Sequence, residues 1–394
     1  MANNRIYYAI QQVAIQSQSK RTWYPVKGLQ SVGVTTNFAL TQAYELGQQS
    51  IYENIEEIPD VQIALKKVLD GYPPIYCLAT MDATTPTLAA RSIQRCNVNM
   101  SIYDESSTYA VGAPVGMMEA SGLYLSSIRY NFPKDGNFEE DVTLVGNDKI
   151  WKNDSRLSAM WAAWVPVQTG QFNGLDSPIG VGGVNRRQDL KLGNSTSGSK
   201  DTNGMVADAD LTVLPPDIAG IDSSGCNNMS DNSRAHLSNI SISVNLNRDN
   251  LTELGRRGNY CRIPNFPVEV STEVGITASS GDLISATESG ILTTAAGCGN
   301  ELGNLTNATI RVATCEGLRL YTGVKNKLAS VNYTGGEAGG KEVTVSYTFT
   351  TFNDFVALHS GETTLTGFLT YGPEAGVTAT GFWKRRGEAG WLIN

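Results

Sequence analysis

The chain has 394 residues, a net charge of −8 and only 17% charged residues. This length can supply cores for two domains, and the negative charge argues against general nucleic-acid binding, which needs clustered Lys and Arg. No apolar run approaches the roughly 20 residues of a membrane helix, and the N-terminus lacks the pattern of a signal peptide. We therefore expect a protein that is made in the cytosol and does not insert into membranes.

Alternating apolar residues predict antiparallel strands within a first unit, residues 1–165. Such alternation is typical of strands with one buried face. It occurs at Val32, Val34, Phe38 and Leu40, and again at Val61, Ile63 and Leu65. Further strands are predicted at 97–103, 120–132 and 139–146. The segment PPIYCLATM (73–81) predicts one short helix, because proline is favoured at a helix start.

A change of composition separates this unit from the next. Gly, Asn, Asp and Ser dominate residues 166–235, as in GNSTSGSKDTNG. Such a composition buries little surface and predicts a linker or insertion. Because the segment is too long for a simple connection, we expect part of it to pack on a domain or on a neighbouring subunit.

The second unit, residues 236–394, again has the alternation of strands. Strands are predicted near 239–246, 267–276, 307–313, 317–322, 327–333 and 341–350, and in TGFLTYG and VTATGFWKRR close to the end. FNDFVALHS (352–360) predicts a second short helix. The expected fold class is all-β with minor α, in which each of two tandem antiparallel barrel or sandwich domains carries a short flanking helix.

The two units contain an internal repeat. Residues 31–59 align without a gap on residues 239–267, and seven positions are identical. The identical pairs are Asn37/Asn245, Glu45/Glu253, Leu46/Leu254, Gly47/Gly255, Tyr52/Tyr260, Ile55/Ile263 and Pro59/Pro267. Farther on, 126–132 resembles 329–335 and 141–145 resembles 342–346. The repeat predicts a duplicated domain, a common device for building symmetric assemblies.

Motifs of catalysis or of metal binding are missing from the sequence. We expect surface or capping roles for the only two histidines, His236 and His359, and free buried thiols for the six scattered cysteines. The pairs Glu56-Glu57 and Glu139-Glu140 point to opposite faces of a strand and predict solvated surface. GVGGVNRR (180–187) fits a loop better than an anion site. We expect neither an enzyme nor a bound cofactor or metal.

One stretch has an unbalanced charge. Glu45, Glu53, Glu56, Glu57 and Asp60 lie in a segment without Lys or Arg. Two interpretations stay open: a solvated hairpin tip, or an acidic surface that repels a polyanion such as DNA. The second copy differs, since Arg256, Arg257 and Arg262 replace Gln48, Gln49 and Asn54. An acidic edge of one copy could therefore pair with a basic edge of the other, which would make these arginines intersubunit contacts.

Three segments carry a resemblance to a known family. ELGQQSIYENIEEIPDVQIALKKVLDGYPPIYCLAT, the alternating strand before it and YNFPKDGNFEEDVTLVGNDKIW resemble tail tube proteins of long-tailed bacteriophages, especially those of cyanobacterial phages. The resemblance covers residues 25–155 and reaches the second half only through the repeat. It implies two packed antiparallel sheets with a flanking helix, in subunits that form stacked six-fold rings around a DNA channel.

The resemblance also implies partners and a location. Residues 35–65 would be a hairpin that lines the channel, DNA would pass without sticking, and hub, terminator and, in a contractile tail, sheath proteins would bind the tube. With two copies per chain, three chains would complete a pseudo-six-fold ring, which we favour over six. Such a protein resides in the virion after synthesis in the host bacterial cytoplasm. The alternatives are a baseplate hub, tube initiator or tail terminator, and, less favoured, an enzyme that acts on the cell wall.

Overall fold

The computed structural model describes residues 6, 8–19, 23–38, 40–104, 114–152, 183–187, 190–192, 236–255, 258–277, 310–314, 318–323, 325–335 and 343–359. In the first half, a 3-10 helix Tyr8–Ile10 precedes strands β1 Gln11–Ser17, β2 Trp23–Pro25, β3 Leu29–Asn37, β4 Leu40–Tyr44, β5 Ile51–Glu56 and β6 Asp60–Val68. Helices α1 Ile75–Ala79 and α2 Leu88–Ser92 follow, and then β7 Arg95–Ile102, β8 Gly116–Pro133, β9 Glu139–Gly146 and β10 Asp148–Lys152.

The remaining strands lie between residues 190 and 359. They are β11 Leu190–Leu192, β12 His236–Asn245, β13 Arg248–Leu251, β14 Cys261–Pro264, β15 Glu269–Thr277, β16 Arg311–Thr314, β17 Leu318–Tyr321, β18 Lys327–Thr334, β19 Thr344–Phe352 and β20 Val356–His359. The strands at 97–103, 120–132 and 139–146 correspond to β7, β8 and β9, and the all-β class with minor α is confirmed. The predicted strands near the C-terminus lie outside the described residues.

Eight antiparallel strands form the central sheet, in the order β3-β6-β9-β8-β12-β15-β19-β18. The long strand β8 belongs to two layers, because its first part pairs with β7 and β10 and its second part pairs with β9 and β12. Near the end of the first part, where the pairing with β7 shifts its register, Gly122 has a φ of 63°, in the left-handed region that glycine adopts at little cost. Strands β1 and β2 extend the layer beyond β7.

The same strand order occurs twice in this sheet. The group β3-β6-β9-β8 matches β12-β15-β19-β18, and in both groups a two-stranded hairpin, β4-β5 or β13-β14, separates the first two strands along the chain. The turns also correspond, since Gly47 and Gly255 have φ values of 95° and 84°. The repeated sequence therefore coincides with a repeated arrangement of strands.

One apolar core spans both halves of the described chain. Helix α1 is buried along its whole length, and the ring of its Tyr76 lies 5.8 Å from the ring of Phe355, which comes from the second half. Phe355 also lies 6.3 Å from Tyr130 of β8. Three strands of the second half, β16, β17 and β20, form a further sheet with β11, in the order β11-β16-β17-β20, and this sheet contacts α1 through β20. The halves are thus packed against each other.

The short described parts of the segment 166–235 contact both halves. The backbone N–H of Asn185 donates to the carbonyl of Leu69 at 2.7 Å, and the carbonyl of Asn185 accepts from Phe138 at 3.0 Å. Strand β11 pairs instead with β16 of the second half. In GVGGVNRR, Asn185 is therefore an internal contact, while Arg186 donates to the side-chain oxygen of Asn137 at 3.2 Å.

Two local predictions were wrong. The helix predicted over 352–360 is absent from residues 352–359, because Val356–His359 forms β20 and pairs with β17. Short apolar runs suit either state, and here all four residues of the strand are buried within the sheet. His359 is accordingly a core residue rather than a surface or capping one. Helix α2 was not predicted, although the side chain of Thr87 caps it by accepting from Ala90 N–H at 3.4 Å.

The pair Glu139-Glu140 is also placed differently from the prediction of solvated surface. Glu139 is partly exposed and bonds to Lys66, whereas Glu140 is completely buried. The Glu140 carboxylate accepts hydrogen bonds from the N–H of Ile75 at 2.6 Å, the N–H of Tyr76 at 3.0 Å and the hydroxyl of Tyr130 at 2.8 Å. It therefore joins the start of α1 to β8 and β9. Burial raises the pKa of this carboxyl against the opposing effect of these bonds.

We expect Glu140→Ala to lower the free energy of unfolding by about 3 kcal/mol, because it leaves two buried N–H groups and one hydroxyl without their acceptor. Glu139→Ala is the matched control and should cost less than about 1 kcal/mol, as is usual for an exposed ion pair. Urea unfolding followed by circular dichroism measures both. Equal losses in the two variants would show that the buried carboxylate does not hold α1.

The buried His359 predicts a dependence of stability on pH. Burial, and next the charge of Lys67, lowers the pKa of this imidazole to about 3, whereas an unfolded histidine titrates near about 6.5. The unfolded state therefore binds the extra proton, so the stabilisation is complete above pH of about 6.5 and declines as the pH falls towards about 3. The slope from this group is about 1.4 kcal/mol per pH unit.

His359→Gln should flatten the curve of unfolding free energy against pH in that range. His236→Gln is the matched control, since it removes the only other histidine of the chain and should leave the slope in place. Urea titrations at a series of pH values measure the curves. A His359→Gln curve parallel to that of the wild type would contradict the assignment.

Candidate assembly surface

The pairing of β8 with β12 joins the two repeated groups of strands. Seven residues of each strand are opposed, from Ser127 opposite Asn245 to Pro133 opposite Asn239. Ile240, Ile242 and Val244 of β12 are buried on one face. We call this pairing the seam. It makes one eight-stranded sheet from two four-stranded groups.

Arg248, the first residue of β13, reinforces the seam from the second half. Its guanidinium donates to the carbonyls of Leu125 and Ser92, both in the first half, and to the carbonyl of Arg262 at 3.0 Å. It also lies 5.0 Å from the centre of the Tyr124 ring, within cation–π distance. Burial lowers the pKa of Arg248 to about 10, so this side chain remains charged at neutral pH.

Arg262, on β14, makes a second set of bonds across the seam. Its Nη2 lies 2.6 Å from Asp60 Oδ1 and 2.6 Å from Asn147 Oδ1, and donates to the carbonyl of Gly146 at 3.2 Å. The Arg262 side chain is 6% exposed, whereas that of Asp60 is 51% exposed. Bonds from a buried guanidinium to several fixed acceptors give the contact a defined geometry.

These contacts alter the placement of two predicted site residues. Arg262 was predicted to contact another subunit and Asp60 to line a channel. The structure joins the two side chains within one chain and leaves Asp60 half exposed. This ion pair links the two halves of one chain. Arg256 and Arg257, the other two predicted basic residues, lie outside the described residues.

The hairpin β4-β5, which we call the first arm, carries most of the predicted acidic residues. Glu45, Glu53 and Glu56 are exposed on it, and the exposed Glu57 that follows accepts from the hydroxyl of Thr41. The arm is also strongly apolar. Its exposed large apolar side chains are Phe38, Leu40, Tyr44, Leu46, Ile51, Tyr52 and Ile55. Exposed apolar patches on proteins are often sites of contact with other proteins, and an analysis of charge alone does not find them.

The second arm, β13-β14, is equivalent in position but not in surroundings. Leu254, Tyr260, Ile263 and Phe266 are exposed on or next to it, yet Arg248 and Arg262 fasten its base to the first half. The equivalent positions of the first arm are Leu40 and Asn54, both of them exposed. Arg248 and Arg262 thus bond the base of the second arm to the first half, whereas the first arm has uncharged residues at both equivalent positions.

One face of the eight-stranded sheet is polar. A row of opposed residues crosses it from Lys66 to Asp141, Arg129, Ser243 and Ser271, and opposed residues of neighbouring strands share a face. The acidic residues of this face are Asp60, Glu139, Asp141, Glu269 and Glu273, and the basic ones are Lys66, Arg129 and Lys327. The sequence contained this signal, since these residues alternate with apolar ones along each strand.

The charges of the polar face are partly paired. Lys66 Nζ lies 2.8 Å from Glu139, and this bond raises the pKa of Lys66. Partial burial raises the pKa of Asp141 against the effect of Lys66. The described strands thus place a second acidic surface, separate from the first arm, on the sheet itself.

Neither a metal site nor a membrane helix is present among the described residues. No three side chains of His, Cys, Asp or Glu there converge as metal ligands. In the same part of the chain, no helix has the length and apolarity needed to span a membrane.

Comparison with solved structures gives partial similarities at low identity. A chain of the anti-feeding prophage (AFP) baseplate is 12% identical, with a TM-score of 0.28, and the match covers 39% of this chain and 98% of that one. A chain of the PVC sheath-tube complex, from an extracellular contractile injection system, is 11% identical, with a TM-score of 0.29 and coverages of 39% and 95%. Hcp1 from Flavobacterium johnsoniae is 11% identical, with a TM-score of 0.20 and coverages of 35% and 98%. No protein-family model and no curated protein matches the chain.

Substitutions of Arg262 and Asp60, which bond to each other next to the seam, should lower stability by different amounts. Arg262→Ala should lower the free energy of unfolding by about 2 kcal/mol, because the carbonyl of Gly146 and the side chain of Asn147 lose a charged donor. Asp60→Ala, the matched control, should cost less than about 1 kcal/mol, since Asp60 is half exposed and Arg262 keeps its other acceptors. Urea unfolding measures the difference. A larger loss for Asp60→Ala would contradict the role given to Arg262.

Proposed function

We propose that this chain is a structural, non-catalytic subunit of a phage tail or a tail-like particle, whose copies form rings that stack around a channel for DNA. The observation that carries the proposal is the eight-stranded sheet, which has two repeats and one polar face and, within the described residues, an edge strand with a single partner at each side. The sequence resemblance to tail tube proteins of cyanobacterial phages supports the same function. On this proposal the protein resides in the virion after synthesis in the host bacterial cytoplasm.

The repeat is a tandem duplication of one tube-like domain. Its support is the coincidence of the repeated sequence with the repeated strand order β3-β6-β9-β8 and β12-β15-β19-β18. Duplication halves the number of chains that a ring requires. Three chains would then form the pseudo-six-fold ring, with 24 strands in its wall, since each chain contributes eight. At about 4.8 Å between strands, this wall would be about 35 Å or more across.

The polar face lines the channel of this ring. The opposite, apolar face of the sheet is already covered by α1 and by strands outside the eight-stranded sheet. The polar face is therefore the one left open to solvent. Acidic residues outnumber basic ones on it, and a negative surface does not retain the phosphate backbone of DNA. The exposed apolar arms suit contacts between successive rings, and the ends of the tube would meet hub, terminator and, in a contractile tail, sheath proteins.

The presence of two repeated groups in the eight-stranded sheet also favours a second candidate function, that of a baseplate hub, tube initiator or tail terminator. A protein with two tube-like units per chain can join a three-fold partner to a six-fold tube. The two functions differ in assembly, because a tube subunit must stack repeatedly and a hub or terminator must stop after one ring.

Electron cryo-microscopy of the purified chain tests the proposal. We expect rings of three chains whose inner wall is the polar face, and stacks of such rings at high protein concentration. Single closed rings would favour the hub or terminator. Rings of six chains would refute the three-chain arrangement, with an inner wall of about 70 Å if all strands lined it. A protein that stays monomeric, or a polar face on the outside of the ring, would overturn the tube.

A further inference from the structure

The two outer strands of the eight-stranded sheet, β3 and β18, are long and lack a second partner. Within the described residues, β3 pairs only with β6 and β18 pairs only with β19. Edge strands are usually guarded by charges, proline or a bulge, because their free backbone groups bind other strands. Strand β3 has no charged residue and no proline, and β18 has only Lys327 at its start. Each strand has one irregularity near its start, between Leu29 and Ser31 in β3 and between Leu328 and Ser330 in β18, so residues 31–37 and 330–334 run without a bulge. Both edges therefore have the composition of paired strands.

The chain itself contains the template for their pairing. The repeat relates β3 to β12 by 208 positions, and it relates β18 to the second part of β8 by 203 positions. Strands β8 and β12, the counterparts of the two free edges, are paired with each other at the seam. Within one chain, the seam therefore already shows the kind of contact that β3 and β18 of two different chains would make with each other.

The exposure of apolar side chains differs between β8, which is paired at the seam, and β18, which is at the edge. Ile128 and Tyr130 of β8 are 1% and 0% exposed, whereas their counterparts Val331 and Tyr333 of β18 are 40% and 50% exposed. The same apolar positions are therefore covered where the seam exists and open where the chain ends its sheet. An exposed pair of this kind on an edge strand indicates a missing neighbour.

We propose that β18 of one chain pairs antiparallel with β3 of a second copy, in the register of the seam. Transfer of the seam pairs places Thr36 opposite Val331, Thr35 opposite Asn332 and Val34 opposite Tyr333. The apolar residues then meet on the covered face of the sheet, and the polar ones meet on the open face. Like charges are not opposed at any of these positions.

This contact joins unlike edges, so it leaves one β3 and one β18 free in any open chain of subunits. Such a head-to-tail contact either closes into a ring or continues as a filament. The inference rests on the proposed ring, and it adds which strands meet and in which register. Pairing of like edges, β3 with β3 or β18 with β18, would instead stop at a dimer.

Disulfide cross-linking between two differently tagged, co-expressed variants tests the contact. Thr35→Cys in one chain and Asn332→Cys in the other should form an intermolecular disulfide after mild oxidation, because directly opposed residues fall within the Cα separation that a disulfide needs. Both positions are exposed. The matched control pairs Thr35→Cys with Thr334→Cys, two positions along the same face. We expect at least about tenfold less product from it, since diagonal neighbours are farther apart.

Several results would overturn the register or the contact. Cross-links of Thr35→Cys or Asn332→Cys chains to themselves, at equal yield, would show pairing of like edges. A better yield from position 334 would show another register, and no cross-link in any pair would show that the edges do not meet. In these cases, rings seen by electron microscopy would leave the proposed function standing, whereas the absence of any oligomer would refute both.

A double variant with Thr35→Cys and Asn332→Cys in the same chain shows how many chains the assembly contains when it closes. A ring of three should give a ladder of cross-linked products on a denaturing gel that ends at the trimer. A second test needs no added cysteine. Tyr333→Asp should abolish the oligomers seen by analytical sedimentation, while the monomer should still unfold cooperatively. Retention of full assembly by Tyr333→Asp would count against the contact, because a carboxylate would then lie in its apolar face.

Discussion

The structure depends on the hydrogen-bonded pairing of β8 with β12. Buried backbone groups must find partners, and β12 finds them on one side in β15 and on the other in β8. Without the seam, seven residues of each strand would expose their backbone groups at two further edges. The same pairing brings Phe355 of the second half within ring-contact distance of Tyr76 and Tyr130. One contact between the copies therefore determines both the width of the sheet and the continuity of the core.

Polar side chains inside this core hold the helix against the sheet. The buried Glu140 satisfies the two N–H groups at the start of α1, and the buried Lys67 bonds to Asp70 and to the carbonyl of Lys27. Buried charges are costly unless they are bonded, and then they favour one geometry over its neighbours. Burial lowers the pKa of Lys67 even though Asp70 opposes this effect. Glu140 thus fixes the start of α1 against β9, and Lys67 ties β6 to the backbone just before β3.

The sequence contained most of the strands but little of the polar core. Ile240, Ile242 and Val244 alternate with polar residues, and alternation specifies a strand with one buried face. Glu140 lies at a position of β9 that this alternation assigns to the buried face. A carboxylate is nevertheless assigned to the surface from sequence alone, because its hydrogen-bond partners are not known at that stage. His359 was misplaced for a related reason, because its short apolar run suits a helix or a strand. The bonds of Arg262 to Asp60 and Asn147 depended on the seam, which no local pattern reveals.

The seam and the proposed contact between chains differ in strength for a reason that the sequence shows. Arg248 and Arg262 fasten the seam, but their counterparts in the first copy, Leu40 and Asn54, carry no charge. The contact between chains would therefore rely on backbone bonds and apolar pairs, without buried guanidinium groups. Linkage within one chain also gives the seam a high effective concentration. Half of the junctions in a ring would thus form during folding, and only the weaker half would remain to control assembly.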